Sequence, residues 1–519
     1  MNEHKKVTRA AGINSAATSI SRILGLIRDM TLANFFGTSA VSSAFQFAFR
    51  IPNLLRRLFG EGAMASAFIP LFAEEIHKKD LDSGYKAANI VLTLLTAILS
   101  TIAVVIGAVA LFLALFVFDD LKWQLAMLLT VVMVPYCIFI CLTAVCGAML
   151  NTLGHFSRPA LAPVLLNISI ITAVWLGAFF LGKTHDKLIY SAAVGVLIGG
   201  VAQLAFQIPE LRRKGFRFKL AWDLTHPFVK NIYIIMAPAV LGAGITQINV
   251  MVDGLLAMFL NKRGVSVLFF ANRLTELPLG IFGVAIATAV LPSLSFFAAR
   301  NEKKGFIKAV GFALRYISFI IIPAAIGLII LGEPIVRLIF QHGKFSAEST
   351  GYVVKALRLY APGLMAFAML KIIVPTFYAL KDTKTPVKVG IATLILNVIL
   401  NVILMQFMAE RGLALSTTIC AYINVLLLMY LLRKKMGPLG LKKIAGSIIK
   451  IVVNTVIMGW MVWGTLTITQ NQFPGNNFID KFLQVIIPIA AGLIVYITIA
   501  FITGQRELKE LLSAYLRKK

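Results

Sequence analysis

Ionised side chains stand inside long apolar stretches of this chain, and their types favour anion chemistry. One stretch carries Arg22, Arg28 and Asp29, the next Arg50, Arg56, Arg57 and Glu61, and a later one Arg273 and Glu276. A charge within a membrane segment costs at least ~2.5 kcal/mol on insertion scales, so it faces a cavity or a partner. Arginines outnumber acids here, and a planar guanidinium matches phosphate or carboxylate oxygens two at a time, which favours a pyrophosphate-like head group over an organic cation. On a helix, Arg22 and Asp29 share a stripe with Ser15 and Ser19, as do Arg50, Arg57 and Glu61 on the next segment, while Arg28 and Arg56 point to one side. Pro52, Gly60 and Gly62 can bend the second segment so that its basic turn lines a water-filled opening. The competing reading is that these arginines snorkel to head groups or fix helix register.

The elements that must hold these groups follow from composition. Of 519 residues 59% are hydrophobic and 14% charged, which excludes a water-soluble globule. Charge-free runs at 87–118, 159–181, 188–209, 451–479 and 482–505 each exceed the roughly 20 residues that cross a bilayer as helix. A membrane β-barrel would instead need short alternating segments. The fold class is therefore all-α, a polytopic membrane protein. Fourteen spans are expected, at 13–36, 41–73, 87–118, 123–150, 159–182, 188–208, 229–258, 265–298, 309–332, 352–380, 386–409, 412–432, 446–469 and 482–504. Basic residues follow even-numbered spans: Arg212, Arg213, Lys214, Arg217 and Lys219 after the sixth, Arg300, Lys303 and Lys304 after the eighth, and Arg433, Lys434, Lys435, Lys442 and Lys443 after the twelfth. That bias puts both termini in the cytoplasm, and the net charge of +28 reads as topology and anionic-lipid contact rather than nucleic-acid binding. The first segment is interrupted by charge, unlike a cleavable signal, and is expected to remain as the first membrane helix.

The chain also repeats itself. GAMASAFIPLF at 62–72 recurs as VAIATAVLPSL at 284–294, FRIPNL at 49–54 meets NRLTEL at 272–277, and LNTLGHFSRP at 150–159 meets FYALKDTKTP at 377–386. Six spans plus six, in parallel orientation, form an alternating-access architecture with substrate at the repeat interface. The expected divisions are an N-terminal lobe at 1–225, a second lobe at 226–440 and two extra helices at 441–519.

Other signals carry less. GAFFLGKT at 177–184 matches a phosphate-loop pattern but ends a membrane helix instead of joining strand to helix. Gly195 and Gly199 form a small-xxx-small pattern, read as packing within the chain. Cys137, Cys141, Cys146 and Cys420 lie in apolar segments without metal-ligand spacing and act as small buried hydrophobes. An integral-membrane glycosyltransferase would need metal-binding carboxylates, and the pair Asp119 and Asp120 has no ligating neighbour.

SRILGLIRD (21–29), FRIPNLLRRLFGEGAMASAFIPLFAE (49–74), LNTLGHFSRPALAPVLLN (150–167), ANRLTELPLGIFGVAIATAVLPSLS (271–295) and ALKDTKTPVKVG (379–390) together resemble the MurJ (MviN) lipid II flippases of the multidrug/oligosaccharidyl-lipid/polysaccharide exporter superfamily. The resemblance implies a transporter, not an enzyme, in the bacterial inner membrane. It would move undecaprenyl-pyrophosphate-linked disaccharide-pentapeptide from cytoplasmic to periplasmic leaflet, without ATP hydrolysis, for peptidoglycan synthesis and cell shape. A polysaccharide-unit flippase or small-molecule antiporter of that superfamily is the alternative. By motif position the resemblance implies roles in flipping for Arg22, Arg28, Asp29, Arg56, Glu61 and Arg273; substrate binding is expected of Arg22, Arg28, Arg56 and Arg273, and gating or ion pairing of Asp29, Glu61 and Glu276. It gives the last two helices a groove for the polyprenyl tail. Ser43 and Asn272 stand where relatives often carry acids. A sodium site among Asp253, Asn397, Asn401 and Thr417, or the membrane potential, would supply energy, with helix bridging by the asparagines as the other reading. Expected partners are lipid II, anionic lipids and peptidoglycan-synthesis proteins, and the chain is expected to be a monomer.

Overall fold

The computed structural model describes residues 3–60, 63–182, 185–475 and 477–510, and among them the regular structure is all helical, with no strand. Contacts divide the chain into two compact units, Met1–Ser266 and Val267–Lys519. The first holds α1 (Glu3–Phe36), α2 (Ala40–Leu55), α3 (Ala63–Lys78), α4 (Leu81–Phe116), α5 (Leu121–Met133), α6 (Tyr136–Thr152), α7 (Ser157–Phe180), α8 (His185–Arg213) and α9 (Pro227–Leu260). The division falls inside α10 (Gly264–Pro278), and the second unit continues with α11 (Val284–Ala299), α12 (Lys303–Ile339), α13 (Ala347–Tyr360), α14 (Gly363–Ala379), α15 (Lys384–Met408), α16 (Glu410–Met436), α17 (Leu441–Gln472) and α18 (Phe478–Ile502).

Ten helical stretches are long and apolar enough to cross a bilayer, and the pair α13–α14, bent by 49°, makes eleven. By that measure, fourteen is not reached among the described residues. The segments at 13–36, 41–73 and 229–258 fall outside it, and these are the ones that carry Arg22, Arg28, Arg50, Arg56, Arg57 and Asp253. Many large apolar side chains face outward, among them Phe179, Phe180, Phe407 and Ile502. Patches of that extent would aggregate in water and are what a lipid-facing surface requires.

The internal repeat is visible in the elements. A wide π turn at Arg56–Gly60 joins α2 to α3, and a second at Leu279–Gly283 joins α10 to α11. The two are 223 residues apart, as are FRIPNL and NRLTEL, so a local irregularity of the backbone has been duplicated along with the sequence. A π turn adds a residue to one helical turn and rotates everything beyond it, a distortion that concentrates at functional sites. In the first copy it carries Arg56 and Arg57.

In the first unit α7 packs closely on α8 and α1. Gly195 and Gly199 make this possible, since a Cβ at Gly195 would come within 3.0 Å of the Ile170 Cα and one at Gly199 within 3.0 Å of the Leu166 Cα. The small-xxx-small pattern is thus spent inside the chain. GAFFLGKT ends α7, with Gly182 in a left-handed turn, and its last two residues lie outside the described residues. The four cysteines are buried thiols outside any disulfide, and Asp120 caps the start of α5 by accepting from the Lys122 amide at 2.7 Å. In the second unit α12 lies at the centre. One core joins it to α11, α14 and α16, and another, containing Phe319, Leu331, Ile451, Met458, Val462 and Tyr496, joins it to α17 and α18. The Tyr496 hydroxyl donates to the Phe319 carbonyl at 2.8 Å.

The loops that follow α6 and α14 occupy corresponding places in the two repeats and are fastened with opposite polarity. In the first, His155 and Arg158 approach Glu210 near the end of α8 at 3.4 and 3.8 Å. In the second, Asp382, 227 residues after His155, accepts from Lys435 near the end of α16 at 2.9 Å, and from the Thr385 amide and hydroxyl at 3.0 and 2.8 Å. Burial by itself would raise the Asp382 pKa, but the Lys435 and Thr385 hydrogen bonds and the Lys435 charge outweigh it and hold the carboxyl at about 2. A carboxylate depressed on folding stabilises the fold above its unfolded pKa of about 3.9 and ceases to do so as pH falls through its folded value. Between about pH 4 and pH 2 the wild-type melting temperature should therefore fall more steeply than that of Asp382→Asn. Thermal unfolding in detergent across that range tests this, and parallel curves would discard the staple.

Candidate functional site

Helix α1 presents Arg22 on an exposed face, Arg28 half-buried and Asp29 fully buried. Arg28 turns onto its own neighbour in sequence, Nε and Nη2 donating to Asp29 Oδ1 at 3.0 and 2.7 Å. Its Nη1 donates to Oδ1 of Asn167 on α7 at 3.2 Å. A guanidinium has five N–H groups. Among the described residues three are engaged, and one remains on each terminal nitrogen, able to donate to the oxygens of an anion. Asp29 offsets the cost of the buried charge and leaves the Arg28–Asp29 pair neutral overall.

Arg56 opens the π turn, where its Nε donates to Asn53 Oδ1 at 3.1 Å. Glu61 lies outside the described residues. Arg50 on α2 and Arg57 in the π turn reach α9: Arg50 Nη1 donates to the Val250 carbonyl at 3.0 Å, and Arg57 Nη1 to Gln247 Oε1 at 3.3 Å. These contacts support the register-fixing reading for this pair. Gly254 makes room for Arg50, since a Cβ there would sit 2.2 Å from its Nη1.

Further ties hold the end of α9. Lys122 of α5 is buried and its Nζ donates to the Met258 carbonyl and, at 3.1 Å, to that of Asn261, taking up carbonyls that a helix end leaves without partners. Ser43 and Ser266, 223 residues apart and both fully buried, share a hydrogen bond at 3.1 Å. They stand at equivalent positions of the two repeats.

In the second unit Arg273 lies 3.6 Å from Glu276 on α10, and Asn272 donates to the same carboxylate at 3.2 Å. An aspartate at 272 would repel Glu276 one turn away, so the amide suits its neighbour. Asp253 sits half-buried on α9 in the first unit, whereas Asn397, Asn401 and Thr417 belong to the second. Asn401 donates to Asn397 at 2.9 Å, Ser416 donates to Asn401, and Asn397 donates to Ser416 at 3.4 Å, bridging α15 to α16. Thr417 donates to the Leu413 carbonyl of its own helix at 2.8 Å. Ser416, one residue earlier, is the hydroxyl in the bridge, a choice that depends on helix rotation. Asn167 was likewise not singled out from sequence. The available signal was an amide inside a span, closing the motif LNTLGHFSRPALAPVLLN.

Known proteins resemble this chain in sequence and in fold. A sequence profile described as lipid II flippase MurJ matches residues 32–484. The chain belongs to the lipid II flippase MurJ family. Among family members, a probable lipid II flippase MurJ of Vibrio cholerae serotype O1 is 38% identical over 82% of each chain. One of Haemophilus influenzae is 34% identical over 94% of this chain and 98% of its own. A solved lipid II flippase MurJ in an inward closed conformation superposes with a TM-score of 0.77 at 30% identity, covering 94% of this chain and 98% of that one. An inward-facing MATE multidrug resistance transporter of the MOP superfamily shares the fold, with a TM-score of 0.68 at 17% identity over 82% and 99% of the two chains.

The α2–α9 contacts of this MurJ family member yield a specific expectation. Gly254→Ala should displace Arg50 and lower the melting temperature of the purified protein, while Gly254→Ala combined with Arg50→Ala should recover part of the loss. Equal melting for wild type and Gly254→Ala would show that the tie is not built this way.

Proposed function

We propose that this chain moves lipid II, the undecaprenyl-pyrophosphate-linked peptidoglycan precursor, from the cytoplasmic to the periplasmic leaflet of the bacterial inner membrane by alternating access. The observation that carries the reading is Arg28, which is compensated by Asp29 and tethered by Asn167 yet keeps one N–H on each terminal nitrogen for an anion. Arg22, Arg56 and Arg273 add positive charge for the pyrophosphate, with Asp29, Glu276 and Glu61 orienting the arginines or gating. The apolar outer faces of α17 and α18 suit a polyprenyl tail, and both termini lie in the cytoplasm. No chemical bond of the precursor need change, and we infer that ATP is not hydrolysed.

Two experiments test this reading. Cells depleted of the protein should accumulate precursor that an externally added lipid II-cleaving enzyme cannot reach. Wild type should restore cleavage, and Arg28→Ala should insert normally yet restore at most about a tenth of it, the scale of one lost charge-assisted hydrogen-bonding site. Full restoration by that variant would remove the arginine from the mechanism. Energy coupling is read separately. The mutual bonds of Asn397, Asn401 and Ser416 support a helix bridge, on which sodium should not change the melting temperature. A sodium-dependent rise abolished by Asp253→Ala would make the four candidate residues a cation site instead.

A further inference from the structure

Asp29 holds Arg28 at a single point. Both of its bonds, from Nε and Nη2, converge on one oxygen, Oδ1, so the pair is a pivot rather than a two-oxygen clamp. Asp29 belongs to the same helix as Arg28, so this pair does not by itself tie the guanidinium to a neighbouring helix. The second point comes from α7. Asn167 is 5% exposed, its Oδ1 accepts from Arg28 Nη1, and its Nδ2 donates to the Ser21 carbonyl of α1 at 3.2 Å and to the Pro163 carbonyl of its own helix at 3.4 Å. Carbonyls only accept and a guanidinium only donates, so the amide can face in one direction alone. Helical side chains lean toward the N-terminus, which carries Arg28 back toward the level at which Asn167 also meets Ser21.

We propose that Asn167 is a positioning residue for the anion site: it stops the Arg28 guanidinium from swinging about Asp29 and so aims the two remaining N–H groups together at one phosphate of the lipid-linked pyrophosphate. The inference rests on the role of Arg28 proposed above. Its specificity lies in the neutral amide. An aspartate at 167 would set oxygen against the Ser21 and Pro163 carbonyls and place a second carboxylate on Arg28, opposing an anionic ligand.

The test is a double-mutant cycle, read as affinity of the purified full-length chain in nanodiscs for lipid II. Asn167→Ala should weaken binding roughly tenfold, the worth of one hydrogen bond to a charged group. In an Arg28→Ala background the same substitution should change affinity by less than about twofold, because there is no guanidinium left to aim. A purely structural role would lower affinity by the same factor in both backgrounds, and that result, or wild-type affinity for Asn167→Ala, overturns the inference while leaving Arg28 in place. Wild-type affinity for Arg28→Ala would instead sink the functional reading itself. Asn167→Ser, with too short a reach for the guanidinium, serves the same cycle if the alanine variant does not fold, and Asn167→Asp should bind more weakly than either.

Discussion

An arginine within a bilayer must be compensated without being used up, and the local structure around Arg28 meets both demands. Full pairing with a carboxylate at two oxygens would satisfy the charge and leave little to offer a ligand, whereas no pairing would leave the insertion cost unmet. Bonding to one oxygen of Asp29 and one amide of Asn167 lies between these limits. That compromise requires α7 to lie close against α1, and α7 is in turn seated on α8 through Gly195 and Gly199. Packing of small residues some distance from the arginine is therefore part of how Arg28 is held.

Duplication explains much of the remaining architecture, and divergence between the copies shows where function and structure have parted. The π turns at Arg56–Gly60 and Leu279–Gly283 are retained in both, but only the first carries arginines. Arg50 and Arg273 are equivalent by position, yet Arg50 is bound to the α9 backbone while Arg273 faces Glu276. The loops after α6 and α14 keep their fastening to α8 and α16 although the cation, Arg158, lies on the loop in the first and the anion, Asp382, lies on it in the second. An ion pair depends on opposite signs rather than on which partner carries which, so such an exchange preserves the fastening while the sequence signal fades.

Polar groups elsewhere in the spans divide by whether their neighbours consume them. The Asn397–Asn401–Ser416 group bonds within itself across two helices, as amides in membranes commonly do. Lys122, which precedes the expected span at 123–150, serves the end of α9. In both cases the backbone and its nearest side chains compete with any ligand for the same atoms.

Composition, charge-free runs and the 223-residue self-similarity determined the all-helical membrane class, the duplication and which spans hold charge, because bilayer insertion is a property of contiguous sequence. The motifs were enough to indicate the family. Tertiary structure decided what each charge touches. Helical periodicity placed Asp29 on one stripe with Arg22, but the flexible Arg28 stem carries its guanidinium back to Asp29, and α7 supplies Asn167 from 139 residues away. Arg50 and Arg57 looked like Arg28 in sequence and became register ties because α9, counted with the second lobe, packs on α2 and α3 of the first unit. Spacing along one chain fixes which residues share a face. It does not fix the rotation of the neighbouring helix, and that rotation selects Ser416 over Thr417 and brings Asn167 to Arg28.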